Sequence, residues 1–117
     1  VGRRVILNTT IEIYSRNSRQ DADNEGIPKF TYDLFLTTRA SVQPLALSEA
    51  KLEQWGITTL GADAKHIFIP VKNLKLGQSW LIKDLTTLER YELRGTNPWP
   101  WIHTEVIAEA YQGQAPV

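Results

Sequence analysis

No cysteine occurs among the 117 residues, which excludes disulfides, a thiolate nucleophile and any zinc-thiolate centre, and fits a reducing cytosol. Imidazole is nearly as scarce. His66 and His103 are the only two, each in a strand-like run with no second ligand at a metal-binding spacing, so both read as partly exposed strand histidines and neither a metal nor another cofactor is expected. Long apolar runs are missing too: the longest, such as Ile67 to Val71, falls far short of the roughly 20 residues that a membrane helix needs. Net charge is absent, with 13 Lys and Arg against 13 Asp and Glu, so no overall field would hold the chain on nucleic acid or an anionic bilayer. Val1 to Leu7 lacks the apolar stretch and cleavage site of a signal peptide, and the missing initiator Met points to trimming or to preceding residues.

Several motifs that would carry chemistry are incomplete. Ser48-Glu49-Ala50-Lys51 has the Ser-x-x-Lys spacing of penicillin-binding enzymes without their Ser-Asp-Asn and Lys-Thr-Gly elements. Asp21-Ala22-Asp23-Asn24-Glu25-Gly26 opens like a calcium loop, but its twelfth position is Tyr32 where a bidentate Glu belongs. Asn8-Thr9-Thr10 is a glycosylation sequon without a secretory context. No catalytic residue is nominated, and the chain is not expected to be an enzyme.

What the chain does carry is alternation. Its length suits one domain with a thin core, for which oligomerisation would be an advantage. Thr10 to Arg16 reads as a strand with Ile11 and Ile13 inward. Phe30 to Val42 reads as a long one, with Phe30, Tyr32, Leu34, Leu36, Thr38, Ala40 and Val42 on one face. Between them, Asn17 to Pro28 has the Asn, Asp, Ser and Gly content of an exposed loop. Pro44 ends the second strand, and Ser48 caps a short helix that Gly56 stops. Further strands are predicted at His66 to Val71, Gln78 to Asp84, Leu88 to Arg94 and Trp101 to Tyr111, with Leu85 to Thr87 and Gly95 to Pro100 as turns. Pro70, which has no N–H to donate, suggests a sheet edge or a bulge. The sum is a mainly β chain: a small, partly open barrel or sandwich of about six antiparallel strands with one short helix and long loops, residues 1–117 forming a single domain. Residues 1–9 would be an N-terminal arm and 112–117 a C-terminal tail.

Four tryptophans need placing. Trp80, Trp99 and Trp101 could stack single-stranded nucleic acid in an OB-like barrel, but the Lys and Arg residues are too dispersed for the basic groove such platforms require. Burial in the core or at a subunit contact is the simpler account. Asn97-Pro98-Trp99-Pro100-Trp101 is stiff, because each proline fixes its own φ and biases the residue before it, and a stiff aromatic loop suits docking.

The order of elements resembles the head-closure or head-completion proteins of tailed phages, also called stopper or head-tail joining proteins. The residues that carry the likeness are Thr10-Ile11-Glu12-Ile13-Tyr14, Asp23-Asn24-Glu25-Gly26, Phe30-Thr31-Tyr32 and above all Arg39-Ala40-Ser41-Val42-Gln43-Pro44-Leu45. A short helix with Glu and Lys, Ser48 to Gly56, follows that Val-Gln-Pro. The likeness spans roughly residues 8 to 95. It implies a β-barrel subunit that assembles as a homo-oligomeric ring, commonly of twelve copies, in the virion neck after synthesis in the bacterial cytoplasm. Portal or adaptor proteins would lie above it and tail-terminator or tail proteins below. Double-stranded DNA would pass through without sequence-specific contact, and no membrane would be involved. By position the resemblance assigns an inward, channel-gating loop to residues 54–65, with Gln54, Trp55, Gly56, Ile57, Thr58, Thr59, Leu60, Gly61 and Lys65 as its members. Arg3, Arg4, Asp21, Asp23, Glu25, Trp99 and Trp101 are the candidate subunit or partner contacts. The alternatives are a tail terminator or other neck protein on a similar scaffold, and the OB-like nucleic-acid-binding module.

Overall fold

The structure is a computed structural model that describes residues 6–20, 28–45, 64–98, 102–111 and 117. Six strands follow one another: β1 (Thr9–Gln20), β2 (Pro28–Pro44), β3 (Lys65–Ile69), β4 (Leu81–Asp84), β5 (Arg90–Pro98) and β6 (Thr104–Ala110). They pair antiparallel in the order β1-β2-β3-β6-β5-β4 and close, β4 returning to β1 through Ile11↔Asp84 to Tyr14↔Leu81. The expected six-stranded barrel is therefore present, and closed where the sequence suggested partly open. The predicted helix at 47–56, residues 1–5 of the arm expected over 1–9 and residues 112–116 of the tail expected over 112–117 lie outside the described residues, and Thr9 of the expected arm opens β1.

Closure follows from where the branched aliphatics fall. Ile11 and Ile13 on β1, Ala40 on β2, Ile67 and Ile69 on β3, Ile82 on β4, Tyr91 and Leu93 on β5, and Val106 and Ala108 on β6 form one buried cluster. Register makes them face the same way, since Ile13 pairs with Ile82, Ile82 with Tyr91, Leu93 with Ala108 and Ile67 with Val106. Six strands leave an interior of side-chain width, and these residues fill it.

Because β3 and β4 are three strands apart in both directions round the ring, they stand on opposite walls. The connection from Ile69 to Leu81 must cross the barrel end where β3 finishes and β4 begins, here called the upper mouth. It does so with Val71, Leu74, Leu76 and Trp80 packed on the core. The fully buried Thr104 hydroxyl pins the crossing, accepting from Leu74 N–H (3.0 Å) and donating to Val71 C=O (2.8 Å). Gly77 is required at the crossing, since a Cβ there would lie 2.5 Å from Trp80 Nε1. Pro70 comes just after β3 ends, so it needs neither an edge nor a bulge.

Two bulges reset the side-chain faces. Ile13 pairs with Leu36 but Tyr14 with Leu34, which leaves Phe35 as the extra residue. Leu36 thus packs on the core while Leu34, Tyr32 and Phe30 come to share the outward face of Tyr14 and Arg16, breaking the continuous apolar face expected from Phe30 to Val42. In β5, Arg94 is the extra residue between Leu93↔Ala108 and Gly95↔Ile107. The strand continues to Pro98, through residues that the sequence reads as a turn. Beyond Tyr14, β1 has lost β4 and pairs only with β2, and β2 gains β3 only at Ser41. Ser15–Gln20 with Pro28–Asp33 is therefore a two-stranded ribbon projecting roughly 20 Å past the barrel at about 3.4 Å per residue. It takes in residues 17–20 and 28 of the loop expected over 17–28, and residues 21–27 lie outside the described residues.

The β4–β5 turn holds Leu88 at φ 63°, a left-handed conformation unfavourable for a branched side chain, and Leu88 is exposed. Leu88→Gly should raise unfolding free energy in urea by about 0.5–1 kcal/mol. Ile13→Ala, which empties a fully buried site, should lower it by about 2–5 kcal/mol.

Candidate functional site

The lower mouth of the barrel is where β1 and β3 start, β2 and β6 finish, and β4 turns into β5. Asp84, the last residue of β4, points inward there and is only 4% exposed. Its Oδ1 accepts the Thr9 hydroxyl (2.6 Å) and the Thr86 backbone N–H (2.9 Å), the second bond being the Asx turn that shapes the hairpin. With the Thr9 proton given to the carboxylate, the Thr86 hydroxyl donates to Thr9 Oγ1 at 2.6 Å. The hairpin closes through Leu88 N–H to Asp84 C=O (2.7 Å) and Asp84 N–H to Glu89 C=O (2.9 Å), and Leu85 N–H ties it to Thr10 C=O (2.9 Å). Tyr91 donates its phenol to Glu89 Oε2.

These groups border a pocket of about 380 Å³ lined by Asn8, Thr9, Val42, Lys65, Asp84, Thr86, Thr87, Glu89 and Tyr91. Asn8 is held by two bonds to the Val42 backbone, its Nδ2 donating to Val42 C=O and its Oδ1 accepting Val42 N–H, both at 3.0 Å. Lys65 opens β3 and enters from the wall opposite Asp84.

On the outer wall, Glu105 sits between the two histidines, with His66 Nε2 3.1 Å from Oε1 and His103 Nε2 3.4 Å from Oε2. Phe68 stacks at a tilt on both rings. His103 precedes β6 instead of lying in it. Among the described residues no group of three or more His, Cys, Asp and Glu is arranged to hold a metal ion.

The ribbon is the second distinctive surface. Phe30 on it, and Leu34 and Phe35 at its base, are 48%, 56% and 47% exposed. The Arg16 guanidinium lies over the Phe30 ring at 4.2 Å, and Asn17 donates to Asp33 Oδ2 at 2.7 Å across the strands. Tyr32 is raised above the ordinary tyrosine value by burial and by the neighbouring Tyr111 phenol, with Arg16 opposing. Tyr14 is raised by burial, then by the hydrogen bond it donates to Glu12 (3.0 Å) and by that carboxylate's charge.

Of the candidate gating residues, Lys65 is described and belongs to β3, at the pocket, instead of to a loop. Gln54, Trp55, Gly56, Ile57, Thr58, Thr59, Leu60 and Gly61 lie outside the described residues, as do Arg3, Arg4, Asp21, Asp23, Glu25, Trp99 and Trp101. Leu45 N–H donates to Ala64 C=O at 3.3 Å beside the lower mouth. Trp80, one of the three aromatics considered for a stacking platform, is half-buried on the core with its ring centroid 5.1 Å from that of Phe35. Asp84 was not singled out by sequence reasoning. Its signal is the run Asp84-Leu85-Thr86-Thr87, an Asx-turn pattern at a hairpin.

No family model and no curated protein matches this chain. Among solved structures it is similar to the solution structure of protein SF1141 from Shigella flexneri 2a. The two share 18% identity with a TM-score of 0.61 over 92% of this chain and 96% of that one, a likeness of fold.

Asp84→Ala should cost about 1–3 kcal/mol in urea unfolding, because Thr9 and the Thr86 N–H lose their buried acceptor, whereas Asp84→Asn keeps an acceptor oxygen and should cost less than half as much. In an absorbance titration Tyr14 and Tyr32 should ionise above the ordinary tyrosine value of 10.0. Since the folded state holds these protons longer than the unfolded one, their contribution to stability is complete below that value and should be lost as pH rises through the raised pKa values.

Proposed function

We propose that the chain is a structural, non-enzymatic subunit of a tailed-phage head-to-tail connector, one copy in a ring that joins portal or adaptor to tail and surrounds the DNA exit channel. The observation that carries the reading is the β1–β2 ribbon. A two-stranded ribbon standing alone in water is marginal at best. This one leaves a closed barrel and exposes Phe30 on its own face and Leu34 and Phe35 at its base, which is how a surface intended for another protein is built. Ile6, Leu85 and Leu88 are exposed at the opposite end of the barrel, so the apolar surface falls on two different faces. Such a distribution suits a heterologous contact, the kind that closes into a ring when its rotation allows.

The filled interior supports the same reading. DNA could not pass through a barrel occupied by ten buried core residues and plugged at its upper mouth, so a channel would have to run between subunits. Beyond the closed barrel the two ribbon strands pair, among the described residues, only with each other, so a neighbour could meet their outer edges as well as their side chains. A formal net charge of +0 suits a conduit, since each phosphate contact adds affinity and would slow passage. The resemblance over residues 8 to 95 supplies the biological setting.

Replacing Phe30 and Leu34 by Asp should leave the melting temperature within a few degrees of the parent, because both side chains are half-exposed. The doubly substituted protein should lose the higher-order species that the parent forms in concentration-dependent chemical cross-linking. Unchanged cross-linking ladders would remove the ribbon from the interface and with it the main support for the ring.

A further inference from the structure

We propose that the lower mouth of the barrel binds a small dipolar molecule that carries an ammonium or guanidinium at one pole and a carboxylate at the other, several bonds apart. The inference is independent of how the chain assembles. It starts from charges that lack counter-ions: among the described residues neither Asp84, Glu89 nor Lys65 takes part in an ion pair, yet all three line one pocket. Burying a carboxylate without a cation is costly, and proteins rarely leave one so. Asp84 is 4% exposed and is served only by neutral donors, both of them on Oδ1, so Oδ2 accepts nothing from the described residues. Thr9 and Thr86 hold the carboxylate in place, so little ordering remains to be done when a ligand arrives.

The signs are segregated by the topology. Asp84 and Glu89 belong to the β4–β5 wall, and Lys65 starts β3 on the wall opposite Asp84, three strands away by either route. A simple cation would meet Lys65, and a simple anion would meet two carboxylates. A molecule with both charges complements both walls, its ammonium or guanidinium against Asp84 and its carboxylate against Lys65. Val42 and Tyr91 offer apolar contact to the methylenes between the poles, and the pocket's 380 Å³ is within the range of small-molecule sites.

The test is a backbone-amide NMR titration of the full chain with ε-aminocaproate and with L-arginine, using n-hexylamine and caproate as single-charge controls. Saturable shifts at Thr9, Lys65 and Thr86 are expected with at least one dipolar probe. Asp84→Asn, which keeps the turn, and Lys65→Gln should each weaken that probe by at least ~10-fold, equivalent to about 1.4 kcal/mol. Both controls should bind more weakly than the dipolar probe. The proposal is overturned if neither dipolar probe gives saturable shifts, if both substitutions leave binding unchanged, or if a single-charge control binds as well.

Discussion

Over Ile11 to Tyr14, β1 hydrogen-bonds to β2 on one side and to β4 on the other, and the rest of the molecule depends on that double pairing. It closes the sheet and turns one face into an interior for the aliphatic cluster. It also fixes which walls oppose each other. The crossover from β3 to β4 then has to span the upper mouth, and Lys65 and Asp84 have to face each other across the lower one. Where the double pairing stops, at Tyr14, the barrel stops, and what remains of β1 and β2 is the ribbon.

The two ends are consequently different in kind. The upper mouth is sealed by Val71, Leu74, Leu76 and Trp80, with the buried Thr104 hydroxyl satisfying backbone groups of the crossing. The lower mouth keeps polar groups and open volume, organised by a hairpin whose shape depends on a buried carboxylate. Apolar plugging fills one end, and polar side chains gather around open volume at the other. Among the described residues, the exposed aromatics are Phe30 on the ribbon and Phe35 at its base, the latter in ring contact with Trp80 of the upper seal.

How much of this was legible in the sequence depends on whether a single periodicity governed each segment. Alternation places Ile11 and Ile13 inward correctly, because β1 runs without interruption across those residues. It fails at Phe35, because the bulge there shifts the phase without any residue type that announces it, whereas at Arg94 the following Gly95 is such a mark but reads equally as a turn. Asn17 to Gln20 reads as loop because a solvated ribbon needs no apolar face, and Gly95 to Pro98 because turn-forming residues can also end a strand after a bulge. The site is less legible than the fold. Lys65 entered the sequence reading through a resemblance and as part of a loop, Asp84 did not enter it, and their opposition is a property of strand order. Strand order was not readable from spacing.

The central claim is that this barrel is a ring subunit whose neighbours meet through the β1–β2 ribbon. The most direct measurement is a particle reconstruction of the neck of a virion that carries the chain. The account predicts copies arranged in a ring around the DNA channel between portal and tail, commonly twelve, with Phe30 of each ribbon and Leu34 and Phe35 at its base buried against the adjacent copy. A sixfold placement beside the tail tube, or a ring in which those three side chains remain in solvent, would contradict it.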